Sequence, residues 1–172
     1  MYKLIRCKNL ILREVEPSDA EFILSLRLDE KLNRYLSKTQ PDVELQREYI
    51  KKYKTKNNEY YYIIESLDHK KLGTGRLYEI SGDRFKVGSW LIANNAPVYT
   101  AIESILYLYD FAFTTLGMKH ANFEVDKKNE RVIAFHLRFG SKIVGDDGVS
   151  YHFEFQKEDF KKVKEKYKKY MT

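Results

Sequence analysis

Cysteine is almost absent from this chain of 172 residues: Cys7 stands alone, which excludes an internal disulfide and makes a reducing, cytoplasmic compartment the expectation. Three prolines are too few for a disordered linker, so one domain over 1–172 is expected. No apolar run approaches the roughly 20 residues that a membrane helix needs. The opening Met-Tyr-Lys-Leu-Ile-Arg-Cys-Lys alternates apolar and charged residues and lacks a signal-peptide core, so no membrane partner is expected. Acidic residues are in the minority, and the net charge is +6. That excess is local. Residues 157–172 carry seven lysines against Glu158, Asp159 and Glu165, so this tail supplies +4 of it. The rest is nearly balanced and has no basic stripe interleaved with aromatics, which argues against a nucleic-acid surface and for a solvated terminal helix.

What is abundant is apolar and aromatic: 43% of residues are hydrophobic, with 14 tyrosines and 10 phenylalanines, enough for a sizeable core. Residues 10–15 read as a strand, and Glu16-Pro17-Ser18-Asp19 ends it and caps a helix that turns Phe22, Ile23 and Leu26 inward. A second helix is expected over 30–36. Asp42 caps a third, with Val43, Tyr49 and Ile50 inward. Aromatic and β-branched residues make Tyr60–Ser66 a strand; short turns lead on to strands at 71–80 and 85–92, an antiparallel meander. Thr100 and Glu103 form the pattern of a capping box opening the next helix. Ile102, Ile105, Leu106, Tyr109, Ala112, Phe113 and Leu116 fall on one helical face, which Gly117 ends. A strand at 121–125, a helix at 129–139 closed by Gly140, and a hairpin of 141–144 with 151–156 complete the order. The fold class is α/β (α+β), a mixed and mostly antiparallel sheet flanked by helices on one core.

Three stretches carry a resemblance. Ser89-Trp90-Leu91-Ile92, then Tyr107 through Gly117, then Asn129-Glu130-Arg131-Val132-Ile133-Ala134-Phe135-His136-Leu137-Arg138-Phe139-Gly140 resemble the GNAT N-acetyltransferase superfamily, in the branch of ribosomal-protein N-terminal and amino-sugar N-acetyltransferases. The resemblance implies acetyl-CoA as acetyl donor. It places the coenzyme pyrophosphate on the loop before the helix at Thr100, with Ala101 and Ile102 following and Asn129 reaching the coenzyme from the next helix. Of the family's glycine-rich loop only the small residue Ala101 is kept; Tyr99 takes the first glycine position and Ala96 the leading basic one. Backbone N–H groups near Leu91 and Ile92 are implied to hold the oxyanion.

His136 takes the place of a tyrosine that, in relatives, protonates the departing thiolate. It can equally be a core residue, with Val132, Phe135 and Phe139 as helical neighbours. Relatives often carry a glutamate base on the strand before the coenzyme loop, where this chain has Lys86. Glu79 and Glu124 remain, acting directly or through water. No metal is expected. By the same resemblance the N-terminal helices form the acceptor pocket, where Arg27, Asn33, Tyr35 and Ser37 cluster, with Tyr60, Tyr61, Tyr62 and Arg76 on strands that can face them. Arg27 and Arg76 suit a phosphate or carboxylate. The favoured acceptor is the amine of a nucleotide-linked amino sugar, by direct transfer in a ternary complex. The rivals are a protein N-terminal amine and a non-catalytic acyl-CoA-binding module.

Overall fold

The computed structural model describes residues 2–172. Its eight strands form one sheet in the order β1-β2-β3-β4-β5-β6-β8-β7. β1 (Leu4–Arg6) and β2 (Leu10–Glu14) pair first, and β3 (Tyr60–Ser66), β4 (Lys71–Ser81) and β5 (Arg84–Ile92) continue as the expected antiparallel meander. β6 (His120–Asp126) joins β5 in parallel, and β8 (Ser150–Gln156) and the edge strand β7 (Lys142–Asp146) pair antiparallel beyond it. Only the β5/β6 junction is parallel, because α3 (Tyr99–Asp110) carries the chain back between them.

Strand alternation sorts the side chains to two faces. Tyr61 and Ile63 of β3 turn toward α1 (Ala20–Leu28) and α2 (Val43–Lys54), where they join Val15, Ile23, Ile50 and Tyr53. Tyr62 and Ile64 turn the other way, into the large core under α3, α4 (Glu130–Phe139) and α5 (Lys157–Lys166). There Tyr109, fully buried, is ringed by Phe85, Phe113, Phe139, Phe155 and Phe160, and its hydroxyl has no hydrogen-bond partner.

Four expectations are corrected. Residues 30–36 form turns, not a helix: the Asp29 carboxylate accepts the Lys31 N–H at 2.8 Å, a local turn that competes with helix, and of the segment's apolar side chains Leu32 and Leu36 are only half-buried and Tyr35 is exposed. Thr100 and Glu103 make no capping box. The helix already starts at Tyr99, which places Thr100 inside it, and Glu103 reaches instead to the β1–β2 turn, accepting from the Asn9 N–H at 2.5 Å and its amide at 2.9 Å. Tyr60 and Tyr62 pack on Phe111 on the face opposite Tyr61, so alternation removes both from the acceptor side. Tyr49, expected inward, is exposed. Asp42 does cap α2, accepting from the Glu44 and Leu45 N–H groups; Gly117 (φ 72°) follows the π-helical turn Phe111–Thr115 that continues α3, and Gly140 (φ 111°) ends α4, both in the left-handed conformation.

Candidate active site

β5 and β6 pair only from Arg84 to Lys86 against His120 to Asn122, and then part. The cause lies on the other side of β5. Between the pairs Arg76–Gly88 and Thr74–Leu91, β5 uses three residues where β4 uses two, and the surplus is absorbed at Ser89, whose φ is 45°. Such a bulge bends and twists its strand. Residues 87–92 thus leave β6, while β6 stays bound to β8 along its length. The result is a wedge with a free strand edge on each side. The Ala93 N–H bonds Leu72 of β4 at 2.8 Å, so by alternation the Ile92 N–H faces the wedge and that of Leu91 faces β4.

Toward α3 and α4 the wedge is walled by rings. Trp90 lies 5.1 Å from Phe135 and 6.1 Å from His136, and its indole N–H donates to Ser104 Oγ at 3.1 Å. His136 is 5% exposed, lies 4.4 Å from Phe123, and leaves Nδ1 without a partner. Burial alone pulls its pKa down to about 4. At neutral pH it is a neutral imidazole, so the expected proton donation by an imidazolium does not fit its surroundings.

Both helices that follow the parallel strands start at the wedge mouth. Neither Val98 at the start of α3 nor Asn129 at the start of α4 makes a side-chain capping bond. First-turn N–H groups and the helix dipole favour an anion at such a place, outside the carboxyl ends of parallel strands. The buried Thr100 hydroxyl, in the first turn of α3, has no partner. Ala101 and Ile102 follow it half-buried.

The segment between α1 and α2 crosses this mouth. The Asn94 amide donates to Asp29 at 2.7 Å, and the Tyr35 hydroxyl donates to the Lys128 carbonyl at 2.9 Å, so one strap touches both loops from which α3 and α4 emerge. Arg27 fixes its return leg, donating to Thr39 Oγ1 at 2.8 Å and Ser37 Oγ at 3.3 Å. Beneath the strap is a cavity of about 500 Å³ lined by Arg27, Thr39, Tyr49, Tyr61, Arg76 and Ser89 among others. Arg27 and Arg76 thus line one cavity, whereas Tyr35, expected beside them, is bonded at the wedge mouth and is not part of the cavity lining.

The two arginines differ. Arg76 is held by the Glu59 carboxylate and by the Tyr49 hydroxyl at 2.6 Å, with the rings of Tyr78 at 4.9 Å and Tyr61 at 5.8 Å. Burial opposes ionisation of Glu59, but hydrogen bonds from Lys56 and Arg76 outweigh it and lower its pKa. Arg27 bonds only hydroxyls and has no carboxylate partner among the described residues. Glu79 and Glu124 do not line the cavity; each lies 3.2 Å from Lys86 Nζ, on the open face of β4–β6.

Thr74 and Glu59 carried no signal in the sequence, and Ser89 and Trp90 entered only through the resemblance, with no role at the site. Gly88 beside Ser89 was the available signal, since glycine within a strand often marks a bulge.

A two-helix mouth over splayed parallel strands, beside a pocket lined by Arg27 and Arg76, is the kind of place that suits a phosphate-bearing ligand. Residues 9–142 match the family model described as "Acetyltransferase (GNAT) domain", and the chain belongs to that family, whose members generally use acetyl-CoA as acetyl donor. The apo structure of FdhC, described as a nucleotide-linked sugar GNAT, is 36% identical over 98% of each chain, with a TM-score of 0.90. A GCN5-related N-acetyltransferase from Brucella melitensis (15% identity, TM-score 0.81, 100% of this chain and 86% of that one) shares the fold. So does a mutant form of the spermidine N-acetyltransferase SpeG from Vibrio cholerae (17% identity, TM-score 0.75, 88% of this chain and 96% of that one). No curated protein matches. Among the described residues no helix is long and apolar enough to cross a membrane.

Proposed function

We propose that the chain acetylates the primary amine of a nucleotide-linked amino sugar, using acetyl-CoA in a ternary complex. The observation that carries this reading is the cavity under the strap, which holds an uncompensated guanidinium and tyrosine faces and meets the wedge at Ser89. Its volume lies in the range of small-molecule sites. Arg27 suits an acceptor diphosphate and repels a polyamine; Arg76, already neutralised by Glu59, forms a rigid shelf with Tyr49 and Tyr61. The likeness to a nucleotide-linked sugar GNAT over nearly the full length points the same way.

The residues present fit coenzyme A. First-turn N–H groups without side-chain caps and the partnerless Thr100 hydroxyl suit its phosphates, with Ala101, Ile102 and Asn129 flanking them, and two free strand edges suit an extended amide-bearing arm. When bound, it supplies the activated acetyl group. The Ile92 N–H is placed to donate to a carbonyl oxygen in the wedge, with Leu91 packing behind it. Glu124, just past the point where β6 leaves β5, takes the amine proton through water; Glu79 serves to hold Lys86. His136 and Trp90 exclude water from the wedge.

A nucleoside diphosphate without its sugar should inhibit competitively against the acceptor and not against acetyl-CoA, and Arg27→Ala should abolish that inhibition. Inhibition that is unchanged in Arg27→Ala, or that competes only with acetyl-CoA, contradicts the acceptor assignment. An open groove that takes protein N-termini is the second reading, and peptide turnover would replace the sugar by it.

A further inference from the structure

We infer that Thr74 is a positioning residue of the transfer reaction: its hydroxyl holds the Ser89 bulge at the point where acceptor cavity and donor wedge meet. This rests on the reading of wedge and cavity as donor and acceptor sites.

Thr74 is 1% exposed and touches no solvent-filled space. Its hydroxyl donates to the Ser89 carbonyl at 2.6 Å. That carbonyl belongs to a non-glycine residue at φ 45°, a backbone conformation that persists only where the surroundings impose it. The neighbours of Thr74 shape the same bend. A Cβ on Gly73 would run into the Leu91 carbonyl oxygen and approach Ile92 Cδ1 to 3.1 Å, so its absence lets β5 close up immediately after the bulge. A Cβ on Gly75 would stand 2.7 Å from Leu108 Cδ1, so this glycine seats α3 against β4.

Gly73, Thr74 and Gly75 therefore act on three consecutive points: the backbone leaving the bulge, the bulge itself, and the helix whose start forms one side of the wedge mouth. Thr74 is the one that acts through a bond a substitution can remove at constant shape. Without it the Ser89 carbonyl loses the hydroxyl that fixes it, and the strained peptide is free to turn. Ile92, three residues on, would then aim its N–H elsewhere. Ser89 also lines the acceptor cavity, so the same movement displaces the acceptor wall relative to the wedge. Misplacement of this kind reduces the rate of transfer more than binding.

Thr74→Val keeps the shape and deletes the donor; Thr74→Ser keeps the donor. In Thr74→Val the expected kcat is lower by about 10- to 100-fold, with coenzyme A affinity by calorimetry and both KM values within about threefold of wild type. Thr74→Ser should recover most of the rate. In the ligand-free protein, amide exchange at residues 89–92 should quicken in the valine variant alone. Because glycine adopts φ 45° without strain, Ser89→Gly combined with Thr74→Val should regain part of the lost rate, and this arm serves also if the single valine variant folds poorly. Wild-type kcat and unchanged exchange in Thr74→Val overturn the proposal, as does an equal loss in Thr74→Ser. If the wild-type protein turns over no amine, the function proposed above fails, while the exchange comparison still decides whether Thr74 holds the bulge.

Discussion

Acidification should destabilise this protein through one histidine, by an amount that its burial sets. His136 lies among Trp90, Phe123, Phe135 and Phe153, and desolvation lowers its pKa from 6.5 to about 4. The folded state therefore binds the proton less readily than the unfolded chain. A group depressed in this way contributes stability that is complete above the unfolded value of 6.5 and lost as pH falls toward the folded value of about 4. Each pH decade in that window carries about 1.4 kcal/mol, so the whole window carries about 3 kcal/mol. His136→Phe keeps a ring of similar shape and removes the titration. Urea unfolding of both proteins, at intervals from about pH 7 to pH 4, gives the difference in stability, in which the shared carboxylates cancel to first order. That difference should move by about 3 kcal/mol in favour of the phenylalanine protein, or about 1–2 M in urea midpoint. A difference that stays flat across the window refutes the claim that the imidazole is buried neutral. The same neutrality predicts that His136→Phe keeps kcat within about threefold; a loss of about a hundredfold would restore His136 to proton transfer.

Three further outcomes follow from individual contacts. Arg27→Lys, which cannot offer a two-pronged guanidinium, should raise KM for the intact acceptor about tenfold and leave KM for acetyl-CoA unchanged, checked by steady-state kinetics. Tyr109→Phe removes a buried hydroxyl without a partner and should stabilise by about 1 kcal/mol, or about 2–4 °C in a thermal melt; destabilisation would mean that the hydroxyl is satisfied. Asp19→Asn strips the buried carboxylate that Arg13 and Lys71 both grip at 2.7 Å and should cost about 3 kcal/mol in urea unfolding at neutral pH. Burial opposes ionisation of Asp19, but hydrogen bonds from Arg13 and Lys71 outweigh it and hold the carboxyl at about 2, so that contribution should persist above pH 3.8 and fade as pH drops toward 2.

Wherever one period dominated, the elements could be read directly. The tyrosine-rich run of β3, the apolar face of α3 and the glycines at 117 and 140 each announce local structure that the fold keeps. The strap failed as a helix because the Asp29 side chain competes with the helical pattern. Site residues divide in the same way. Arg27 and Arg76 were legible as guanidinium groups near the acceptor, but which of them is free depends on Glu59, brought by the loop between α2 and β3. Thr100 and Glu103 have the spacing of a capping box; Asn9, 94 residues earlier, takes the carboxylate instead. The bulge at Ser89 was illegible except through Gly88, since serine carries no preference for a positive φ. It depends on a hydroxyl from the neighbouring strand, a tertiary contact that no local pattern encodes.

The central claim is tested most directly by incubating the purified protein with acetyl-CoA and a panel of amines, following thiol release and product mass. The panel should hold nucleotide-linked amino sugars, the corresponding free amino sugars, spermidine and peptides with free N-termini. The account predicts that a nucleotide-linked amino sugar gives a product heavier by one acetyl group, and that its free sugar loses turnover as well as affinity, because binding energy at the diphosphate positions the amine. Equal turnover of the free sugar, or turnover of spermidine or peptides alone, would contradict it.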